Sequence, residues 1–419
     1  MGAPEPISVQ AHLADCLALV RPLPPLELAL RDALGCVLAE DVVSPRPLPA
    51  FDNSAMDGYA VRVRDVAEAR EDSPVGLPVV ADVAAGHTGA LRLAGGTTVR
   101  IMTGAPVPPG AEAVVPVEWT DRGVSHVRIR RCPEPGQHVR RAGEDVRAGD
   151  VVLEAGTRLQ ARHIGVLAAV GRARVRVRPR PRVVVLSTGS EIVEPGLGLE
   201  HGQLHDANGF LLASAVQELG AIAYRVAGVP DDAAELSAVL DDQLVRADVI
   251  ITSGGVSEGA YDTVKEVLQA SPAFTGRFVK VAMQPGMPQG AGVLGEDGTP
   301  ILTLPGNPVS AFVSFEVFVR PALRRMLGEE GPDPLRPRVR AVAEEAWTSA
   351  PAKAQYVRAA TRLEGGRLLV RPVGGHGSHL VTALARTDCL AVVPVGVGRV
   401  EVGDEVDCVL LGPAPAGVS

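Results

Sequence analysis

The chain has 419 residues, more than one hydrophobic core can organise, so two to four domains are expected. Its net charge of −8 argues against a nucleic-acid surface, and no stretch approaches the ~20 apolar residues that a membrane span needs. Aromatic residues make up only 3% of the chain, so small aliphatic side chains must fill the cores.

Ser8 is placed to cap a helix over residues 9–20, and residues 26–38 read as a second, shorter helix. The stiff connector Ser44-Pro45-Arg46-Pro47-Leu48-Pro49 then delivers residues 51–60, FDNSAMDGYA, whose density of polar groups fits either a solvated turn or a site. From Tyr59 to about Arg147, Val-rich runs between Gly and Pro clusters predict β structure. One of these strands ends at the Thr103-Gly104 turn, and the region closes on Arg140-Arg141-Ala142-Gly143-Glu144-Asp145, two arginines beside two carboxylates. Residues 150–178 return to a helix (161–170) and a basic strand (172–178). These are expected to pack back on the N-terminal helices and make the first domain discontinuous.

From Arg182 onward strands alternate with helices, the signature of a three-layer α/β domain with a mostly parallel sheet. The expected strands cover residues 183–186, 221–229, 249–251, 278–282 and 301–304. Asp206 or Asn208 caps the first helix, and Asp231-Asp232 stands at the start of the second. Asn307 with Pro308 begins a long helix to residue 327. After the linker Gly331-Pro332-Asp333-Pro334, the last ~80 residues are Val- and Gly-rich and predict a small barrel. The fold class is therefore α/β plus β, multidomain. Its boundaries are drawn at 1–43 with 149–178, 44–148, 179–328 and 329–414. The five cysteines (Cys16, Cys36, Cys132, Cys389, Cys408) are scattered without a C-x-x-C pair and read as core thiols of a reducing compartment. No signal peptide is visible in MGAPEPISVQ, so a cytoplasmic location is expected.

Several α/β segments end in small-residue loops carrying an acid or a helix start: STGSE, VPDD, TSGGVSEGAYD and LPGNPVS. Parallel strands bring such loops to one sheet edge, where bare N–H groups bind phosphate-type anions. Carboxylates there suit Mg²⁺, which bridges carboxylate and phosphate oxygens. Gly255-Val256-Ser257-Glu258-Gly259 matches a nucleophile-elbow pattern, but a Ser-Gly-Gly turn separates it from the strand, so a serine hydrolase is disfavoured. His376 and His379 lie in a glycine loop without Cys partners and read as a surface turn.

The segments FDNSAMDGYAVR (51–62), IMTGAPVP (101–108), RRAGED (140–145), LSTGSE (186–191), SGGVSEGAYD (253–262) and LPGNPVSAF (304–312) resemble the signatures of the MoeA family. Those are molybdopterin molybdenumtransferases, similar to the E domain of gephyrin. SHLVTALARTDCLAVVP (378–394) extends the likeness into the final β domain. The resemblance implies a homodimer of four-domain subunits: a molybdopterin-binding α/β domain, two β-rich domains and a discontinuous helical domain. It implies insertion of molybdenum from molybdate into adenylylated molybdopterin, with release of AMP and a need for Mg²⁺. Catalytic roles then fall on Asp57, Asp145, Glu191, Asp262 and Lys280, and metal ligation on Asp231 and Asp262. Substrate binding falls on Thr103, Gly104, Ser187, Thr188, Gly189, Asp206, Ser253, Gly254, Gly255, Ser257, Pro305, Gly306, Asn307 and Pro308. The family's K-P-G-K-P reads Gln284-Pro285-Gly286-Met287-Pro288 here, two positive charges fewer. Molybdopterin adenylylation, or a non-catalytic pterin-binding scaffold, are the alternatives.

Overall fold

Val183-Val184-Val185-Leu186 and Val249-Ile250-Ile251 are β-branched runs too short for helices, and in the computed structural model both are fully buried strands. The described residues are 5–86, 91–256, 262–329, 336–375 and 377–412. They fall into two units, one of residues 27–34 and 40–175, the other of residues 1–26, 35–39 and 176–419.

The second unit is built on a six-stranded sheet. Ile222–Val229, Arg182–Thr188, Val249–Ser253 and Thr299–Leu304 lie side by side and parallel, followed by the antiparallel Pro288–Leu294 and Phe274–Lys280. Side chains alternate across it. Val183, Val185, Val249 and Ile251 pack with Leu212 and Val216 of the helix Ala207–Glu218. Val184, Leu186 and Ile250 pack with Leu236, Leu240, Val264 and Leu268 of Ala233–Leu244 and Thr263–Ala270. Asp206 Oδ1 caps the first helix, accepting from Gly209 N at 2.7 Å, and Asp232 caps the second.

Two expectations are corrected here. The strand placed at 278–282 spans Phe274–Lys280 and pairs with a strand, Pro288–Leu294, that carries no apolar signature. Its reason is steric: Gly290 faces Phe278, and a methyl there would come within 2.7 Å of that ring and 2.2 Å of Thr303 Oγ1. The glycine seats the aromatic across the strand pair, which hides the strand from any hydrophobic pattern. The helix expected from 308 to 327 is interrupted by a wide turn, Phe315–Val319, between Pro308–Ser314 and Arg320–Leu327. Pro321 cannot donate to the preceding turn, and the wide turn accommodates it. That turn buries Glu316, which pairs with Arg320 at 2.6 Å and Arg336 at 2.6 Å.

The C-terminal strands close into a ring. Ala354–Glu364 pairs with Arg367–Pro372 on one side and Cys389–Val393 on the other, while Arg338–Ala343 and Glu405–Leu410 complete the circuit. Its interior holds small residues such as Ala341, Ala359, Ala391, Cys389 and Cys408, as the scarcity of aromatics requires. Among the described residues none of the five cysteines is in a disulfide, and four are buried. No helix among them is long and apolar enough to cross a membrane.

The other unit carries a five-stranded sheet in the order Ala113–Pro116, Gly58–Val61, Thr98–Ile101, Val75–Val83 and His126–Ile129, with the helix Ala161–Ala169. The helix expected over 26–38 is absent. Leu26–Ala29 is a strand, Leu30–Asp32 a single 3₁₀ turn and Val37–Leu38 a strand. Pro24-Pro25 sets the chain extended, Leu30 N–H bonds to Ala173 O, and Gly35 turns in the left-handed region.

The helix Val9–Ala18 buries His12, 1% exposed, edge-on to Phe318 at 4.6 Å. Burial pushes its imidazole down to about 4, so the folded chain holds it neutral. Above the unfolded value of about 6.5 this costs nothing. As pH falls from there toward 4 the unfolded chain takes the proton first, and stability should drop by ~3 kcal/mol. Chemical denaturation of wild type and His12→Leu at pH 7 and pH 4.5 checks this: the variant should lose most of that slope, and parallel slopes would refute it.

Candidate active site

The four parallel strands end on one edge, and the loops leaving them line a cleft of about 890 Å³. Ser187-Thr188-Gly189 and Glu191 come from the first loop, Asp231 from the second, Ser253-Gly254-Gly255 and Asp262 from the third, and Pro305-Gly306-Asn307-Pro308 from the last. The cleft thus gathers every substrate-binding residue expected in this unit, with Ser257 outside the described residues. Two of these loops are tied to the helix Ala207–Glu218 by one side chain: Asn208 Nδ2 donates to Ser253 Oγ at 2.7 Å and to Gly306 O at 2.6 Å.

What these loops leave unsatisfied is informative. Ser187 Oγ, Thr188 Oγ1 and Asn208 Oδ1 are buried and have no hydrogen-bond partner among the described residues. Buried polar atoms normally find one, so these three retain hydrogen-bonding capacity at the cleft. Asp231 Oδ2 accepts from Ser190 N at 3.1 Å, and its own N–H bonds to Ser190 Oγ. Asp262 stands at the start of Thr263–Ala270, 6% exposed, without capping that helix through its side chain.

Asp206 lines the cleft and is also tied into the protein. Its Oδ1 caps a helix, its Oδ2 takes Arg225 Nη1 at 3.0 Å, and Arg225 also reaches Glu194 and lies over Phe210. Although it lines the cleft, both oxygens hold protein groups. Lys280 ends its strand opposite Pro288, which lines the cleft, while Lys280 itself does not. Gln284 lies elsewhere, accepting from Gln355 Nε2 at 3.3 Å. Sequence reasoning missed Asn208 as more than a cap, and it missed His379, which the barrel contributes to the cleft. No local pattern marks either.

The other unit holds its own constellation. Asp57 Oδ1 accepts from Thr103 N at 2.7 Å and Thr103 Oγ1 at 2.8 Å, and these bonds hold its carboxyl below the usual range. Gly104 N–H bonds to Ser54 O, and Val139–Arg140 pairs with Asn53–Ser54. Asp52 ties the third segment in, accepting from Arg141 at 2.6 Å and Ala142 N at 2.8 Å. Gly58 follows Asp57 because a methyl there would strike Val115 O at 2.1 Å. Asp145 sits in the same loop, its N–H on Leu48 O. Three motifs far apart in sequence therefore meet.

Among the described residues no three His, Cys, Asp or Glu side chains converge as a complete metal cage. The oxygen donors of Asp231 and Asp262 nevertheless fit a hard cation that takes one or two carboxylates and completes its shell with water and substrate phosphate.

Asn208→Ala should lower stability by roughly 1–2 kcal/mol and raise KM as the loops lose their tie. Thermal melting and steady-state kinetics read both, and no change in either would show that the loops are spaced by something else.

Residues 7–171 match the MoeA N-terminal region (domain I and II), residues 184–325 a probable molybdopterin binding domain, and residues 340–411 the MoeA C-terminal region (domain IV). A Mycobacterium tuberculosis protein named molybdopterin molybdenumtransferase 2 is 48% identical over 403 residues, covering 95% of this chain and 98% of that protein. A Haemophilus influenzae molybdopterin molybdenumtransferase is 36% identical, covering 90% and 92%. The crystal structure of a molybdopterin biosynthesis MoeA protein from Pyrococcus horikoshii superposes with a TM-score of 0.80 at 32% identity, over 98% of this chain and all of that one. Cleft, loops and comparisons agree, and the chain belongs to the MoeA family of molybdopterin molybdenumtransferases.

Proposed function

We infer that the chain is a molybdopterin molybdenumtransferase of molybdenum cofactor biosynthesis, the activity named for its relatives along nearly their whole length. The observation that carries the reading is the cleft: strand-end loops present buried, unpartnered hydroxyls beside carboxylates, a surface for a phosphate-bearing ligand.

The substrate in this reading is adenylylated molybdopterin: molybdenum from molybdate binds the two dithiolene sulfurs, one oxide leaving as water with the two thiol protons, and a water molecule cleaves the pyrophosphate link to give molybdopterin phosphate and AMP. Ser187, Thr188 and the backbone of Ser253–Gly255 and Gly306 bind and orient the phosphates. Asp231 and Asp262 would hold Mg²⁺, which offsets phosphate charge. Glu191 lines the same cleft, with its carboxylate available to hold or move a proton. Asp57 and Asp145 are catalytic as well in this reading, and the hydrogen bonds from Thr103 hold the Asp57 carboxyl below the usual range. The four-domain division, homodimerisation and a cytoplasmic location belong to the same reading. Matches to the N-terminal and C-terminal MoeA regions support transfer over adenylylation, an activity of single-domain proteins.

Purified protein given adenylylated molybdopterin, molybdate and Mg²⁺ should release AMP in step with molybdenum insertion; absence of AMP overturns the reading. Asp262→Asn keeps the side-chain volume and should fold normally while lowering turnover by roughly a hundredfold or more. Near wild-type turnover in that variant would remove Asp262 from the chemistry.

A further inference from the structure

Four carboxylates line the cleft, those of Glu191, Asp206, Asp231 and Asp262, and among the described residues no lysine or arginine does. Arg225 neutralises Asp206 from behind. A phosphate-bearing substrate meets this acidic wall. A metal ion offsets part of the mismatch, and the remaining side chains able to offer a strong N–H donor are two histidines, His205 and His379. They differ. His205 Nε2 is engaged with Leu197 O at 3.0 Å. The His379 ring has no hydrogen bond to any described residue.

His379 is also held in place. Arg358, 5% exposed and without a carboxylate partner among the described residues, donates to the carbonyls of Gly375, Gly377 and Leu380, the last at the far side of His379. Ser378 O accepts from Val309 N at 3.2 Å, fastening the loop to the helix that begins at the cleft. The ring itself folds over Gly377: a methyl at that position would lie 2.7 Å from His379 Cε1. A buried guanidinium spent on three carbonyls of one loop is a costly way to keep a surface turn, and it fits a loop that must present a group.

We propose that His379 is a substrate-binding residue, donating from the barrel a hydrogen bond to a phosphate oxygen of the bound nucleotide-linked substrate. The assignment rests on the transferase reading for the identity of the substrate, and on the cleft alone for its chemistry, a phosphate or pyrophosphate group.

Calorimetric titration with inorganic pyrophosphate in Mg²⁺ tests it directly on the full-length protein. Binding should weaken roughly tenfold or more in His379→Ala, recover in His379→Lys, and weaken in Gly377→Ala, which displaces the ring. Kinetics with adenylylated molybdopterin should show KM for that substrate rising more than kcat falls in His379→Ala, with KM for molybdate little moved. His379 is exposed, so the variants should melt like wild type. Equal pyrophosphate affinity in wild type and His379→Ala overturns the proposal, as does a wild type that binds no pyrophosphate. A wild type that binds pyrophosphate in this His379-dependent way yet releases no AMP upholds the proposal's chemistry and overturns the transferase reading instead.

Discussion

The site depends on one constraint: four parallel strands, hydrogen-bonded in register, must end at the same edge. Once Arg182–Thr188, Val249–Ser253 and Thr299–Leu304 pair, the loops that follow have nowhere else to go. Their small residues then matter, because a loop of Ser, Thr and Gly brings backbone N–H groups and hydroxyls close to whatever enters. Asn208 turns this crowding into a defined geometry by bridging two loops from the helix that serves a third. Binding capacity follows from topology, and chemical identity follows from the acids set into it.

Much of this was legible in the residues. β-branched runs, the caps Asp206 and Asp232, and Asn307-Pro308 at a helix start each carry a local signal, and the structure has those elements where the signals put them. The failures are equally physical. Pro288–Leu294 is a strand because Gly290 receives a ring from its neighbour, so its cause lies on the other strand. Residues 26–38 look helical by composition, but their two strands pair with the distant strand Arg174–Arg178 and Leu30 N–H bonds to Ala173 O just before it. The pairing of Asp206 with Arg225 has no local signal either, because the two lie on different elements. His379 was read as part of a surface turn, and it is exposed in one, but a glycine loop gives no sign that the turn borders the cleft.

The motif-bearing loops of the other unit illustrate how a signature can be long and still be structural in part. Within FDNSAMDGYA, Asp52 fastens Arg141 and Ala142, Ser54 receives Gly104, and Gly58 yields space to Val115. Most of the motif's letters build a frame around one exposed carboxylate, that of Asp57, which Thr103 holds by a single oxygen. Motif length here measures the cost of positioning an acid and not the number of groups that react.

The buried Glu316 has an implication for how such a chain is assembled. Its partner Arg336 stands where the chain enters the barrel, and the same guanidinium donates through Nη1 to Leu411 O, where the chain leaves it. Entry and exit of the barrel thus meet at one side chain, anchored to the α/β core through one carboxylate. A module whose two ends coincide can be joined to a host fold, lost or exchanged with little disturbance to either. Such a joint makes the barrel modular in its connections.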